Sequence, residues 1–320
     1  MPPHCAFERE LSVQDFDLSA LAFGFGGIPW AEFVLNPRRL RGSDFLMRWS
    51  QGVWSEHRIV EAIKQGGRFT AIPYGPSGVA PEGDPRAFEL YFERLEAAGL
   101  GAIKRPDLLV IRAADRPRAE VFLERMGGAS EVPFRQEKDL SELLSLAVVA
   151  IECETSLWKA EKMPAFGRPL RVQRRSGLLG APKNAVMPTV IVKDEDRAPL
   201  AAWESANQIP IHIWHVFYDR AYGLARAELE RLITSGQVEP TRQVFQAPGG
   251  STTAKVIFKA YYHYAYAVGT ASSEPHLLPD FIEDKNGHIL PYVRFEGGSL
   301  HLDADAENVL AALESERWPR

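Results

Sequence analysis

Four short, nearly continuous apolar runs constrain the fold of this chain more than any other feature. They occupy residues 107–113 (DLLVIRA), 147–154 (AVVAIECE), 188–194 (PTVIVKD) and 209–219 (IPIHIWHVFYD). Runs without apolar–polar alternation are typical of strands that are covered on both faces of a sheet. Because helical patterns separate them, the order of elements predicts an α/β fold with a mixed central sheet flanked by helices.

The helical patterns are amphipathic, with apolar residues three and four positions apart. One begins at Ser55, a favourable N-cap, and ends at Gly66-Gly67. We predict the other helices at 85–100, 117–128, 138–146, 198–207, 220–236 and 305–316. Glycines, tyrosines and β-branched residues dominate from 237 onward, so the C-terminal part is predicted to be β-rich.

Composition excludes several classes of protein. The 320 residues include 45% hydrophobic and 25% charged residues, which are ordinary values for a globular protein. No apolar run approaches the roughly 20 residues of a membrane span, and the start of the chain lacks the pattern of a secretory signal. The chain has only two cysteines, which favours a reducing, cytoplasmic location.

The charge is unevenly distributed along the chain. The net charge of -5 argues mildly against a protein that coats nucleic acid. However, residues 162–193 and 240–273 contain no Asp or Glu, and both stretches carry several Lys and Arg residues. Two such stretches in an acidic chain suggest one positively charged face.

Three carboxylates lie at the ends of two apolar runs. Asp107 begins the first run, and Glu152 and Glu154 end the second. Alternation along a strand places Glu152 and Glu154 on one face and Cys153 on the other. If Asp107 meets that face, the three acids form a site for a hard divalent cation, most readily Mg²⁺. A metal beside a basic surface suits phosphodiester hydrolysis.

Pro106-Asp107 followed by Glu152-Cys153-Glu154 at a strand end resembles the PD-(D/E)XK nuclease superfamily, most closely the type II restriction endonucleases. The resemblance implies a restriction-endonuclease-like fold in which Asp107 and Glu152 bind the metal. It also implies a nuclease core at 51–236, an N-terminal segment at 1–50 packed on it, and a DNA-recognition part at 237–320.

The third position of the motif departs from the family pattern, because Glu154 stands where the family has Lys. Glu154 could act as a base or a further metal ligand, or the ammonium of Lys159 or Lys162 could take the vacant place. Glu56 lies on the apolar side of the first predicted helix and is a candidate metal ligand or supporting acid. An acid in a first helical turn is equally expected from the helix dipole.

The basic stretches supply candidate contacts to double-stranded DNA. Arginines after the carboxylate motif would meet phosphates, and residues of the C-terminal part and of the 193–197 run would read bases. The candidates are Arg168, Arg171, Arg174, Arg175, Lys193, Arg197, Arg242, Lys255, Lys259, Lys285, Asn286 and Arg294. Cutting both strands symmetrically requires two active sites, so we expect a homodimer. We also expect a cognate DNA methyltransferase in the same system.

Other interpretations stay open. The same site would serve a repair or recombination nuclease, and the missing Lys could mark a non-catalytic DNA-binding protein. A hydrolase of small phosphate esters is disfavoured by the acid-free stretches. His212 and His215 are three apart on a predicted strand and therefore face opposite sides, which favours core histidines over a shared metal. Cys153 is expected to be a small buried side chain.

Overall fold

The computed structural model describes residues 43–76, 91, 94, 95, 97, 104–173, 177–182, 185–246, 252–283 and 289–318. The predicted N-terminal segment, 1–50, and the predicted helix at 85–100 lie mostly outside the described residues. No described helix combines the length and the apolar composition that crossing a membrane requires.

The described helices number six. They are α1 (Ser43–Gln65), α2 (Arg116–Arg125), α3 (Ser141–Ser145), α4 (Asp194–Asn207), α5 (Arg226–Thr234) and α6 (Ala304–Arg317).

The described strands are β1 (Phe69–Pro73), β2 (Leu108–Arg112), β3 (Ala147–Thr155), β4 (Arg171–Val172), β5 (Leu179–Gly180), β6 (Thr189–Lys193), β7 (Ile211–Val216), β8 (Arg220–Ala225), β9 (Pro240–Gln246), β10 (Thr252–Tyr261), β11 (Tyr266–Ser273), β12 (His276–Glu283), β13 (Ile289–Glu296) and β14 (Ser299–Leu302).

A seven-stranded mixed sheet forms the centre, in the order β1-β2-β3-β7-β8-β11-β14. Strands β3 and β7 are parallel, and the other neighbours are antiparallel. The predicted α/β class with a mixed central sheet is therefore confirmed. The chain crosses from β3 to the parallel strand β7 through β6 and α4, and β6 belongs to a second, three-stranded sheet, β6-β10-β9.

Both faces of the central sheet are covered, as the continuous apolar runs predict. On one face, here called the α1 face, Ile59 and Ile63 of α1 and Leu310 of α6 pack against Leu108 and Ile151. On the other face, the α4 face, Leu200 and Trp203 of α4 and Phe122 of α2 pack against Leu109 and Ile211. The three-stranded sheet and α5 continue this second layer over β7 and β8.

Two helix predictions are wrong in extent. Residues 220–225 form strand β8 instead of the first half of a helix, because they pair with β7 on one side and β11 on the other. Helix α1 begins at Ser43, so Ser55 is not an N-cap; its hydroxyl Oγ lies 2.6 Å from Thr155 Oγ1 at the end of β3. In both segments, tertiary pairing outweighs the local signal.

The C-terminal part is rich in strands, as predicted, and it shares its sheets with the rest of the chain. Strands β11 and β14 complete the central sheet, β9 and β10 join β6, and β12 and β13 form a two-stranded hairpin. The division at residue 236 into a nuclease core and a DNA-recognition part stays a prediction.

Candidate metal centre

Asp107 and Glu152 meet where β2 begins and β3 approaches its end. Leu108 pairs with Ile151 across the two strands, and the next residues outward are Asp107 and Glu152. The Asp107 carboxylate oxygen Oδ2 accepts a hydrogen bond of 2.8 Å from the backbone N–H of Cys153. Both acids are buried, with Asp107 8% and Glu152 4% exposed. The structure thus brings together the two residues for which the family resemblance implies metal binding.

Asp196, and not Asp107, is the third member of the tightest group of carboxylates. Carboxylate oxygens of Glu152, Glu154 and Asp196 all lie within 4.8 Å of one another. Glu152 and Glu154 alternate with Cys153, so both point to the α4 face, where Asp196 lies in the first turn of α4. These three residues are here called the carboxylate triad.

Two lysines contact the triad. Lys104 Nζ donates to Glu152 Oε1. Lys193 Nζ, at the end of β6, donates to Glu154 Oε1 at 3.1 Å and lies 3.7 Å from Asp196 Oδ2. Both lysines therefore lie outside the Glu152-Cys153-Glu154 motif. Lys104 precedes β2, and Lys193 directly precedes α4.

The electrostatics of the triad favour a cation. Burial, and then the charge of Asp107, raise the pKa of Glu152 well above its usual range, although Lys104 opposes this. Burial also raises the pKa of Glu154, with Lys193 opposing. Glu152 Oε2 is buried and accepts no hydrogen bond within the described part of the chain. A buried oxygen without a partner costs free energy that a bound cation would recover.

The chemistry of the ligands fits Mg²⁺. All the ligand atoms are carboxylate oxygens, which hard divalent cations prefer, and Glu152 has one oxygen without a hydrogen-bond partner among the described residues. Glu152, Glu154 and Asp196 would hold the ion, and Asp107 lies beside Glu152 as a further oxygen donor.

Glu56 is placed differently from the triad. It is buried in α1, 7% exposed, on the helix that covers the opposite face of the sheet. Its charge acts on Cys153, whose pKa is raised first by burial, then by Asp107 and Glu56. Cys153 packs against the core on the α1 face but is half-buried, so it is less buried than predicted.

Neither lysine proposed for the vacant motif position lies at the triad. Lys159 Nζ forms an ion pair with Glu274 and lies 5.4 Å from the centre of the Tyr218 ring. Lys162 is exposed on the short turn Ala160–Lys162. The segment after β3 packs Ala160 and Met163 over β7 and β8, and its lysines point elsewhere, so Lys104 and Lys193 supply the ammonium groups instead.

The predicted DNA contacts fall into three groups. Lys193, Arg197 and Lys255 are engaged in ion pairs, Arg197 with Glu230 and Lys255 with Glu195. The second group is exposed or half-buried; it contains Arg168, Arg171, Arg242, Lys259 and Arg294, the last 3.8 Å from Asp280. Arg174, Arg175, Lys285 and Asn286 lie outside the described residues.

The histidines of β7 are core residues, as predicted. His212 Nδ1 lies 2.8 Å from the Tyr266 hydroxyl, and the His215 ring stacks on Phe217 with centroids 4.5 Å apart. They point to opposite faces of the sheet, since His212 pairs with Ile151 and His215 with Glu154.

Sequence reasoning missed Asp196 and Lys104. Both stood in segments that attract attention, Lys104 in KRPDLLVI and Asp196 in the charged run KDEDR directly after an apolar strand. The signal for Asp196 was an acid in a first helical turn at a strand end. Such acids usually serve only the helix dipole, so no local pattern distinguishes Asp196 from them.

Comparison of the whole chain with known protein families, with curated proteins and with solved structures finds no match. The resemblance to PD-(D/E)XK nucleases thus depends on the motif residues and their placement at the strand ends.

Proposed function

We propose that this protein is a Mg²⁺-dependent endonuclease of the restriction type, which hydrolyses phosphodiester bonds of double-stranded DNA at a short specific sequence. The carboxylate triad at the end of a buried strand carries the proposal, because its oxygens converge within 4.8 Å. Mn²⁺, which takes similar oxygen ligands, would substitute for Mg²⁺.

The cation, when bound, would polarise a phosphate oxygen, lower the pKa of a water and stabilise the leaving oxygen. The chain's own groups have roles around it. Glu154, a member of the triad, would take a proton from the attacking water through its carboxylate. The Lys193 ammonium, 3.1 Å from Glu154, would stabilise negative charge on the phosphate.

The proposal implies particular partners. Double-stranded DNA is the substrate, and a two-fold homodimer would place one triad on each strand. Exposed cations such as Arg168 and Arg171 would contact phosphates, which position the protein without reading sequence. A cognate DNA methyltransferase would protect the host genome.

One observation favours a second candidate, a non-catalytic DNA-binding protein. Lys104 and Lys193 already neutralise part of the triad, so the ion pairs could hold the acids without a metal. In that case the protein would bind DNA equally well with or without Mg²⁺ and would leave it intact.

Digestion of a plasmid of known sequence tests the proposal. We expect discrete fragments with Mg²⁺ and none with EDTA; sequencing their ends gives the recognition site. A smear or nicks would instead indicate a repair or recombination nuclease. Glu152→Gln should reduce the cleavage rate at least about 100-fold while DNA binding is kept.

Glu228→Gln is the matched control, because Glu228 is a half-buried acid of α5 paired with Arg231, away from the triad. It should cleave like the wild type. Intact plasmid at every Mg²⁺ and Mn²⁺ concentration, together with normal DNA binding, would reject the nuclease and favour the non-catalytic candidate.

A further inference from the structure

A cavity of about 560 Å³ lies between α1 and the segment from β13 to β14. Helix α1 contributes Trp49, Trp54 and Arg58, and the opposite wall contributes Tyr292 and Phe295. The Trp54 and Phe295 rings stack on each other at one end of the cavity, with centroids 5.1 Å apart. The volume falls within the roughly 300–1,000 Å³ of small-molecule sites. The cavity lies on the α1 face of the central sheet, opposite the carboxylate triad.

Arg58 is the unusual group in this cavity. Its side chain is buried, with 2% of the residue exposed, and its guanidinium lies 4.5 Å from the centre of the Trp54 ring. Nη1 donates a long hydrogen bond of 3.4 Å to the Tyr218 carbonyl oxygen. Nε and Nη2 have no hydrogen-bond partner among the described residues.

The charge of Arg58 is poorly compensated. Burial lowers its pKa to about 10, with Tyr218 and Asp219 opposing, so it stays protonated at neutral pH. The Asp219 carboxylate is already used, since it accepts hydrogen bonds from the backbone N–H groups of Ala160 and Glu161. A buried, unpaired cation is costly, and an anionic ligand would remove that cost.

We propose that this cavity binds a nucleotide, with its phosphate on Arg58 and its base against Trp49 or Tyr292. A guanidinium with two free donor nitrogens matches a phosphate, and aromatic rings stack on bases. Arg294 and His57 add basic groups to the lining. Glu61 and Glu296 also line it and would accept hydrogen bonds from an exocyclic amino group, which favours adenine, cytosine or guanine over thymine.

The nucleotide could be free or part of a DNA strand, and the position of the cavity permits both. Helix α1 is attached to the end of β3 by the Ser55–Thr155 hydrogen bond, and Arg58 contacts Tyr218 just after β7. The cavity and the triad therefore lie near the same ends of strands β3 and β7, on opposite faces of the sheet. The inference goes beyond the proposed function and does not depend on cleavage.

Calorimetric titration without Mg²⁺ tests the inference on the full chain. The probes are deoxyadenosine 5′-monophosphate, inorganic phosphate, deoxyadenosine, and a single-stranded oligonucleotide. We expect the monophosphate to bind more tightly than phosphate or nucleoside alone, and Arg58→Met to weaken it about 10-fold or more. Arg58→Met keeps the apolar stem and removes an unpaired charge, so its thermal stability should equal or exceed that of the wild type.

Arg112→Met is the matched control. Arg112 likewise lies over a tryptophan, 4.4 Å from the Trp318 ring centre, but it has a carboxylate partner, Asp115. It should bind the monophosphate like the wild type. If only the oligonucleotide binds, and Arg58→Met abolishes that binding, the nucleotide that the cavity recognises is part of a DNA strand. Unchanged binding in Arg58→Met, phosphate binding as tight as the monophosphate, or no binding of any probe would overturn the inference.

Discussion

At the scale of single residues, Asp196 is the structure's main addition to the candidate site. Asp196→Asn keeps the size of the side chain and removes one carboxylate of the triad, so the apparent Mg²⁺ affinity in cleavage assays should fall about 10-fold or more. The measurement is the cleavage rate as a function of Mg²⁺ concentration.

Asp194→Asn is the control for this variant, because Asp194 lies in the same first turn of α4 but pairs with Arg197 and is exposed. Both variants remove a charge from the helix N-terminus, and both should lose the same small dipole stabilisation. An equal loss of Mg²⁺ affinity in the two would show that Asp196 acts through the helix and not as a ligand.

His212 should make the protein sensitive to acid. Burial lowers its pKa to about 4, against an ordinary value of 6.5. Above pH 6.5 the imidazole is neutral in both folded and unfolded chains; below it the unfolded chain binds the proton first. Stability is therefore lost as the pH falls from about 6.5 towards 4, by about 2 kcal/mol between pH 7 and pH 5 for this residue.

A hydrogen bond from the Tyr266 hydroxyl stabilises the neutral form of the His212 imidazole. The hydroxyl accepts a hydrogen bond from Trp214 Nε1 at 2.7 Å, so its own proton is available to His212 Nδ1. His212→Gln keeps an acceptor without a titratable group. Urea unfolding at the two pH values should show a smaller loss in this variant, and an undiminished loss would assign the acid sensitivity to other groups.

At the scale of elements, the contact between β8 and β11 is tight. A Cβ atom added at Gly223 would lie 2.5 Å from Cζ of Tyr266, the residue that also bonds His212 and Trp214. Gly223→Ala should therefore destabilise the protein by about 1–3 kcal/mol through overpacking. Chemical unfolding measures the change.

Gly52→Ala gives the contrasting control within α1. Among the described residues, no atom beyond the helix's own backbone lies within 4 Å of an added Cβ there, so the substitution should stabilise the protein by up to about 1 kcal/mol through helix propensity. Equal effects of the two alanines would mean that Tyr266 moves aside without cost.

The same elements show how much the sequence could predict. Strands β2, β3 and β7 were predictable because their apolar runs are continuous, and the pairing of β2 with β3 then brings Asp107 to Glu152. Strand β8 was not, because its Arg, Ala and Leu residues favour a helix and only its neighbours β7 and β11 impose extension. Asp196 escaped prediction, and Lys193 was predicted only as a DNA contact, because their positions at the triad depend on how β6 and α4 dock, which no local pattern encodes.

At the scale of the whole molecule, a cation at the triad would join elements from distant parts of the chain. Glu152 and Glu154 end a central strand, and Asp196 begins a helix of the covering layer. A ligand that binds only the folded state raises the free energy of unfolding. For a dissociation constant of about 1 mM, about 10 mM Mg²⁺ should add about 1.4 kcal/mol. Urea unfolding with and without Mg²⁺, in the absence of DNA, measures this increment. Glu152→Gln should lose most of it, whereas Glu228→Gln should keep it. An equal increment in the wild type and both variants would mean that Mg²⁺ binds elsewhere, because binding at the triad must depend on Glu152.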